Sequence, residues 1–315
     1  MTACGAASPA GTQATSGGAP EVATTQGTAA STPGISTTDT TAVPDTNTVE
    51  STVPGKNEPN ANGKEPDGTL LQSASIDLNG DGENEQVEAF QISSAAGPGM
   101  PDKLEGKLRI RNGNSEKQVT FGEKGENLTG LLTSMQFEDL DGDGAKDIFI
   151  IIPGSGASFS FSNFFIYSYK KDIHYSFTND ISLTDFIDDF RFKYSGGNKL
   201  SITNSRFDFT ADLAIEFEDG QQPSEEYMLD YESRAWIDPV SIDISEASRL
   251  ALTAGADNLP EIKVPLPVFG LATVDMIGEL DLFYEVDSSF IPVLKRFEVY
   301  DFKDGGRLKA GSCKI

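Results

Sequence analysis

Two acidic loops of one spacing constrain this chain more than any other feature. The later one lies in FEDLDGDGAKDIFIII, residues 137–152, where a glycine-bearing loop runs directly into a strongly apolar strand. Relative positions 1, 3, 5 and 9 of this loop are occupied by Asp139, Asp141, Asp143 and Asp147. Gly144 takes position 6, where the backbone must bend sharply. Side chains at this spacing converge on one centre and offer the hard oxygen ligands that Ca²⁺ prefers, so the loop predicts a calcium site.

The same spacing occurs earlier, in IDLNGDGENEQVEAF at residues 76–90, with Gly82 at the bend. Its positions 1, 3, 5 and 9 are occupied by Asp77, Asn79, Asp81 and Glu85. A repeated ligand set, followed each time by a strand, predicts two structural calcium ions rather than a catalytic metal. An EF-hand fits less well, because strands follow the loops and position 12 of the later loop is Ile150. Glu88 at position 12 keeps that alternative open for the earlier loop.

The charge of the chain excludes one class of partner. The net charge is −25, and only six of the 49 acids lie in residues 1–66, so the acidity belongs to residues 67–315. Such a surface lacks the Lys/Arg footprint that phosphate neutralisation requires, which argues against nucleic acid as a partner. Bound divalent cations would offset part of this charge, and the remainder favours solubility.

The first residues, MTACG, resemble the end of a bacterial lipoprotein signal, the lipobox. We predict that residues 1–4 are a remnant of this signal. Cys4 would carry an acyl anchor such as palmitate and hold the protein outside a Gram-positive cell membrane. Residues 5–66 are dominated by Thr, Ser, Ala, Gly and Pro, so we expect a disordered stalk. A disulfide between Cys4 and the only other cysteine, Cys313, is the alternative, but we expect Cys313 to be free.

Beyond the stalk, residues 67–235 are predicted to form a β-rich calcium-binding region, and residues 236–315 a second β-rich portion on the same core. Alternating apolar and polar residues predict the strands, and the spacing of the two loops predicts an internal repeat of four short strands. Residues 227–231 are predicted to be a strand and residues 245–254 a short helix. The predicted fold class is mainly β: antiparallel sheets with two blade-like repeats and one or two short helices near the C-terminus.

At the loops DLNGDGENE and DLDGDGAKD, the sequence resembles the VCBS/FG-GAP type of repeat of extracellular bacterial proteins and integrin-like propellers. The resemblance covers the two loops and their adjoining strands, about 80 residues. It implies that each loop binds calcium and links strands of a blade-like unit, with the backbone carbonyls of Glu83 and Ala145 as further ligands. Glu85 stands where the family more often has Asp, and two loops are too few to close a propeller.

Little in the sequence supports an enzyme. The only histidine is His174, which lacks the partners of a zinc site. Two acid pairs are predicted to be solvated surface charges rather than a glycosidase dyad: Asp188-Asp189 and Glu225-Glu226. The aromatic run at residues 159–169 places alternate rings on opposite faces of a strand. One set is expected to be core, and the other either core or a ligand-stacking surface.

We therefore predict a non-enzymatic cell-surface lipoprotein with a calcium-stabilised β domain. Its expected role is binding, adhesion or envelope scaffolding, with a cell-wall glycan or a protein as ligand. The alternative is an accessory or catalytic module of an extracellular hydrolase acting on carbohydrate. An exposed aromatic platform favours the first role, and a cleft with two carboxylates roughly 5–10 Å apart favours the second.

Overall fold

The computed structural model describes twelve segments of the chain, all of which belong to one compact unit. They are residues 5–6, 68–94, 103–121, 134–153, 162–177, 184–216, 224–234, 243–244, 250–255, 259–270, 276–302 and 306–315. The predicted lipid attachment at Cys4 and nearly all of the predicted stalk lie outside these segments.

Strands dominate the described residues. The chain up to residue 177 contributes β1 (Gly5–Ala6), β2 (Thr69–Ile76), β3 (Glu85–Ser94), β4 (Lys103–Asn112), β5 (Ser115–Phe121), β6 (Ser134–Glu138), β7 (Asp147–Pro153), β8 (Ser162–Ser168) and β9 (Ile173–Phe177). The chain from residue 184 onward contributes α1 (Thr184–Ile187), β10 (Phe190–Tyr194), β11 (Lys199–Asn204), β12 (Phe209–Ala214), α2 (Glu225–Arg234), β13 (Asp243–Ile244), β14 (Ala251–Ala254), β15 (Pro260–Phe269), β16 (Met276–Val286), β17 (Pro292–Asp301) and β18 (Leu308–Lys314).

The strands form four antiparallel sheets, which confirms the predicted fold class. The first sheet is β2-β3-β4-β5 and the second is β6-β7-β8-β9, each an up-and-down arrangement of consecutive strands. The third sheet is β10-β11-β12. The C-terminal sheet has the order β1-β18-β17-β16-β15-β13, and β14 also pairs with β15. The first two sheets reproduce the predicted four-strand repeat, while their assignment as propeller blades stays a prediction.

The two central strands of the second sheet, β7 and β8, are buried on both faces, which explains their apolar sequences. Ile148, Ile150 and Ile152 of β7 join a core shared with the first sheet. The intervening Phe149 and Ile151 join a larger core shared with the third and C-terminal sheets. A strand that is covered on both faces reads as a continuous apolar run, because neither set of alternating side chains meets water.

The aromatic run follows the same rule on β8. Phe165 and Tyr167 face the core of the first sheet, whereas Phe164 faces the larger core and stacks on Phe177 with ring centroids 4.6 Å apart. Phe159 and Phe161 lie outside the described residues. The described aromatic side chains of β8 are therefore buried in the core on both faces of the strand. They do not form the alternative, an exposed surface on which a ligand could stack.

The C-terminal sheet buries one face against the third sheet. Phe297 of β17 is surrounded by Phe186, Phe190 and Phe209, with ring centroids 4.9–5.6 Å away. The other face of the C-terminal sheet carries a network of acidic and basic side chains. In it, Glu261 forms an ion pair with Arg296 at an N–O distance of 2.5 Å. The alternation of β17, with Phe297 and Val299 buried between polar residues, produces these two unlike faces.

The prediction of a helix near the C-terminus is wrong for its described part. Residues 251–254 form β14, which pairs with β15. Leu250 and Leu252 both pack on the larger core, and side chains two residues apart share a face only in a strand. The apolar face that predicts a helix here consists of Leu250 and three alanines, Ala247, Ala251 and Ala254, and alanine fits either structure.

The predicted strand at residues 227–231 is also wrong, because it lies within α2. The first turn of this helix contains Glu225 and Glu226, and their carboxylates interact favourably with the positive end of the helix dipole. Met228 is buried, and Leu229 is largely exposed. Among the residues that the structure describes, no helix is long and apolar enough to span a membrane.

Cys313 differs from its prediction as well. Its side chain is only 2% exposed on β18, and its sulfur forms a disulfide, so it is not a free thiol.

Candidate metal site

Both acidic loops connect the first and second strands of a four-stranded sheet. In the first loop Glu85 opens β3 and pairs with Ile76, and in the second Asp147 opens β7 and pairs with Glu138. The residue at position 9 is therefore held by the strand ladder itself. The loops also lie side by side, because a Cβ placed on Gly80 would lie 3.9 Å from the carbonyl oxygen of Gly144.

Glycine sets the path of each loop. Gly82 and Gly144, at position 6, have φ angles of 87° and 82°. Gly80 and Gly142, at position 4, have φ angles of 79° and 76°. Only glycine adopts this left-handed region freely, so two glycines per loop allow the tight turn that brings positions 1 to 9 together.

The aspartate at position 1 organises the turn through backbone donors. In the second loop the N–H groups of Gly142 and Gly144 donate to Asp139 at 2.8 and 2.9 Å. In the first loop those of Gly80 and Gly82 donate to Asp77 at 2.7 and 2.9 Å. The hydrogen bond from Gly82 is the main reason that the pKa of Asp77 lies below its usual value.

The acid at position 9 ties each loop to a core. Glu85 accepts a hydrogen bond from the N–H of Leu78 at 2.7 Å, and Asp147 accepts one from Leu140 at 3.0 Å. Both leucines are buried, Leu78 with the first sheet and Leu140 in the larger core. The leucine at position 2 therefore anchors its loop.

The second loop gathers carboxylate oxygens that lack hydrogen-bond donors. One oxygen from each of Asp139, Asp141 and Asp147 lies within 4.8 Å of the others. Among the described residues, three buried oxygens of this loop accept no hydrogen bond: Asp141 Oδ1, Asp143 Oδ2 and Asp147 Oδ1. Asp143 Oδ2 does lie 3.6 Å from the ammonium of Lys171. Desolvated carboxylate oxygens without hydrogen bonds are costly, and a divalent cation at their centre would remove that cost.

In the first loop, side-chain amides donate hydrogen bonds to the carboxylates. The side-chain amide of Asn79 donates to Asp81 at 2.9 Å and to Glu85 at 3.0 Å. Asn112, at the end of β4, donates a further hydrogen bond to Glu85 at 2.7 Å. Both carboxylate oxygens of Asp77, Asp81 and Glu85, at positions 1, 5 and 9, therefore accept at least one hydrogen bond. The loop has the same two glycine turns as the second loop, but among the described residues only the second loop gathers three acids closely enough to hold a metal ion. Calcium at the first loop stays a prediction.

Two lysines from the turn between β8 and β9 approach the second loop. Lys171 forms an ion pair with Asp141, and its ammonium lies 3.6 Å from Asp143 Oδ2. Lys170 donates to the backbone carbonyl of Asp143 at 2.9 Å. The hydrogen bond to Asp141 raises the pKa of Lys171, so its ammonium stays charged and supplies part of the positive charge that the cluster needs.

Burial governs the protonation of Asp147. Its side chain is 0% exposed, and burial together with the charges of Asp141 and Asp143 raises its pKa to about 7. Burial would also raise the pKa of Asp143, but the hydrogen bond from Ala145 and the charge of Lys170 outweigh it and lower that pKa. A cation at the centre would favour the ionised form of both groups.

The donor set of the second loop fits a calcium ion. Asp139, Asp141, Asp143 and Asp147 would hold it with hard oxygen ligands, as their spacing predicts. The backbone carbonyls at position 7 stay a prediction. The N–H groups at position 7 have side-chain partners. That of Ala145 donates to Asp143 at 2.9 Å in the second loop, and that of Glu83 donates to Asp81 at 2.7 Å in the first.

Sequence reasoning missed Asn112, Lys170 and Lys171. Asn112 ends β4 of the first sheet, and both lysines lie in the turn between β8 and β9 of the second sheet, so nothing in the loop sequences points to them. The adjacent lysines after the aromatic strand were the only available signal, and a lysine pair in a turn is usually a solvated one.

The other residues considered for catalysis lie apart from this cluster. His174 is exposed on β9 and stacks on Phe165 with a centroid distance of 5.6 Å. Asp188, Glu225 and Glu226 are exposed and Asp189 is partly so, as predicted for surface charges.

A pair of buried acids on β16 also escaped prediction. Arg307 Nη2 lies 2.5 Å from both Glu279 and Asp281, which are 5% and 1% exposed. Burial and the charge of Asp281 raise the pKa of Glu279. A substrate would need access to both carboxyl groups, so this buried pair gives no support to a hydrolase.

Neither the comparison with protein-family models nor that with curated proteins finds a match to this sequence.

Proposed function

We propose that this protein is an extracytoplasmic β domain stabilised by calcium at its second acidic loop, with a non-enzymatic role in binding, adhesion or envelope scaffolding. The observation that carries the proposal is the set of buried carboxylate oxygens of Asp141, Asp143 and Asp147 that accept no hydrogen bond. Their shared loop has the oxygen-ligand spacing that calcium prefers.

The position of the loop supports a structural role for the ion. A Cβ placed on Gly142 would lie 3.4 Å from Leu259, which immediately precedes β15 of the C-terminal sheet. Lys171 also reaches the carbonyl of Ser288, in the turn between β16 and β17, at 3.3 Å. An ion that fixes this loop would therefore also fix the contact between the second sheet and the C-terminal sheet.

One further observation supports a place outside the cytoplasm. Disulfides such as that of Cys313 persist mainly in oxidising compartments. The resemblance to VCBS/FG-GAP repeats points in the same direction, and both it and the lipid anchor at Cys4 stay predictions.

Thermal unfolding with and without calcium tests the proposal. At about 100 times its dissociation constant, one calcium ion would add about 2.7 kcal/mol to the free energy of unfolding. For a domain of this size that corresponds to a rise in Tm of about 5–10 °C. Magnesium at the same concentration is the control and should raise Tm less, because it requires a tighter octahedral site. Equal Tm values in chelator and in millimolar calcium would refute the proposal.

A further inference from the structure

Cys313 needs a partner for its disulfide. It lies on β18 in the larger core, and its sulfur is disulfide-bonded. The sequence contains two cysteines, of which the other is Cys4. A disulfide within one chain of this sequence can therefore join Cys313 only to Cys4.

The strand register points to the same pair. β1 runs antiparallel to β18, with Gly5 opposite Ser312 and Ala6 opposite Gly311. Cys313 comes directly after Ser312, and in the sequence Cys4 comes directly before Gly5. Directly opposed residues of antiparallel strands have Cα atoms about 4.5–5.5 Å apart, so the residues next to such a pair are candidates for a disulfide. Composition and register are independent observations, and both select Cys4.

We propose that Cys4 and Cys313 form a disulfide that fastens β1 to the edge of the C-terminal sheet. The sulfur of Cys4 is then used in the folded chain and cannot also carry a thioether-linked lipid. The two described strands that flank the Thr/Ser-rich segment in the sequence are β1 and β2, and each is paired, β1 with β18 and β2 with β3.

The oxidation requires a disulfide oxidant. Each of the two thiols loses a proton, and together they give up two electrons as the sulfur–sulfur bond forms. A dithiol-oxidising protein or a small-molecule disulfide, such as oxidised glutathione, takes up these electrons and protons and is itself reduced to two thiols. Compartments outside the cytoplasm supply such oxidants.

Mass spectrometry of the full chain under non-reducing conditions tests the pairing. The intact protein should be two hydrogens lighter than after reduction, and a digest should contain one cross-linked species that joins the peptides of Cys4 and Cys313. Labelling of both cysteines by a thiol reagent without reductant would overturn the proposal. So would a covalent dimer linked through Cys313, or a thioether lipid on Cys4 in protein isolated from membranes.

Variants separate the disulfide from the packing of Cys313. Cys4→Ser removes the bond without altering the core, and we expect it to lower Tm by roughly 5–15 °C. Cys313→Ala removes the bond and a buried sulfur together. The double variant should therefore match Cys313→Ala, because the bond can be lost only once. Additive losses, or a Cys4→Ser protein as stable as the wild type, would contradict the pairing. Calcium binding at the second loop does not depend on this bond, so the two proposals fail separately.

Discussion

At the scale of single residues, Asp147 shows most clearly what the second loop lacks. Its carboxyl group is buried, held at Oδ2 by the N–H of Leu140, and without a partner at Oδ1. With Asp141 and Asp143 nearby, ionisation is unfavourable, which is why its pKa rises to about 7. The group is thus neutral in mildly acidic, calcium-free protein, and calcium must displace its proton.

Calcium affinity should therefore depend on pH. In the calcium-free protein the pKa of Asp147 is raised from 3.8 to about 7, so its contribution to stability is full below about pH 3.8 and is lost as the pH rises through 7. Calcium binds the ionised form, so its affinity should rise up to about pH 7 and level off above. Calorimetric titrations in two buffers of different ionisation enthalpy should detect a released proton near pH 6. Asp147→Asn should abolish the release, and an affinity independent of pH between 5 and 8 would contradict the assignment.

Lys171 should oppose calcium. Its ammonium lies beside Asp141 and Asp143, where it compensates their charge in the calcium-free protein. Lys171→Met should lower the stability of that form and raise calcium affinity by roughly two- to tenfold, because no ammonium then competes with the ion. Lys146→Met is the matched control, since Lys146 pairs with Glu138 outside the cluster. Weaker calcium binding by Lys171→Met would show that the lysine supports the site instead.

At the scale of elements, the two loops have the same backbone turns but differ in the hydrogen-bond donors that their side chains supply. Both have glycines at positions 4 and 6 and a buried leucine at position 2. Position 3 separates them, because the amide of Asn79 donates hydrogen bonds where Asp141 has an oxygen without one. The amide of Asn79 thus supplies the first loop with hydrogen bonds that the second loop lacks.

Asn79→Asp should make the first loop depend on calcium. The substitution removes both donated hydrogen bonds and adds a fourth carboxylate, so the protein should melt at a lower temperature in chelator and regain most of that loss in millimolar calcium. Melting curves of the variant and the wild type in both conditions measure the difference. An equal loss of Tm with and without calcium would mean that the first loop does not bind the ion even with four acids.

The predictable parts of the fold are those encoded locally. The loops depend on residues within nine positions of one another, and the apolar residues that predict β7 and β8 lie within single strands. The sequence was therefore sufficient to predict both. Asn112 and Lys171 reach their acids from 27 and 30 residues away, so their contacts depend on strand pairing. β14 was mistaken for a helix for the same reason, since its pairing with β15 decides between two local structures that its alanines allow.

At the scale of the whole molecule, the second sheet lies between the two main cores. Alternate side chains of β7 and β8 enter the core with the first sheet or the core with the third and C-terminal sheets. The second acidic loop opens β7 and contacts Leu259 beside β15. A calcium ion there would act at the junction of these sheets, so its removal should lower the stability of the whole domain and not only of the loop.

Calorimetric titration of calcium into chelator-treated protein tests the central claim most directly, with wild type, Asp141→Asn and, as an exposed-acid control, Asp188→Asn. We expect saturable binding in the wild type and in Asp188→Asn. Binding to Asp141→Asn should be at least about tenfold weaker, because ligand charge sets the affinity of such loops. No binding heat in the wild type at any temperature tested, or equal binding by Asp141→Asn, would contradict a calcium site in the second loop.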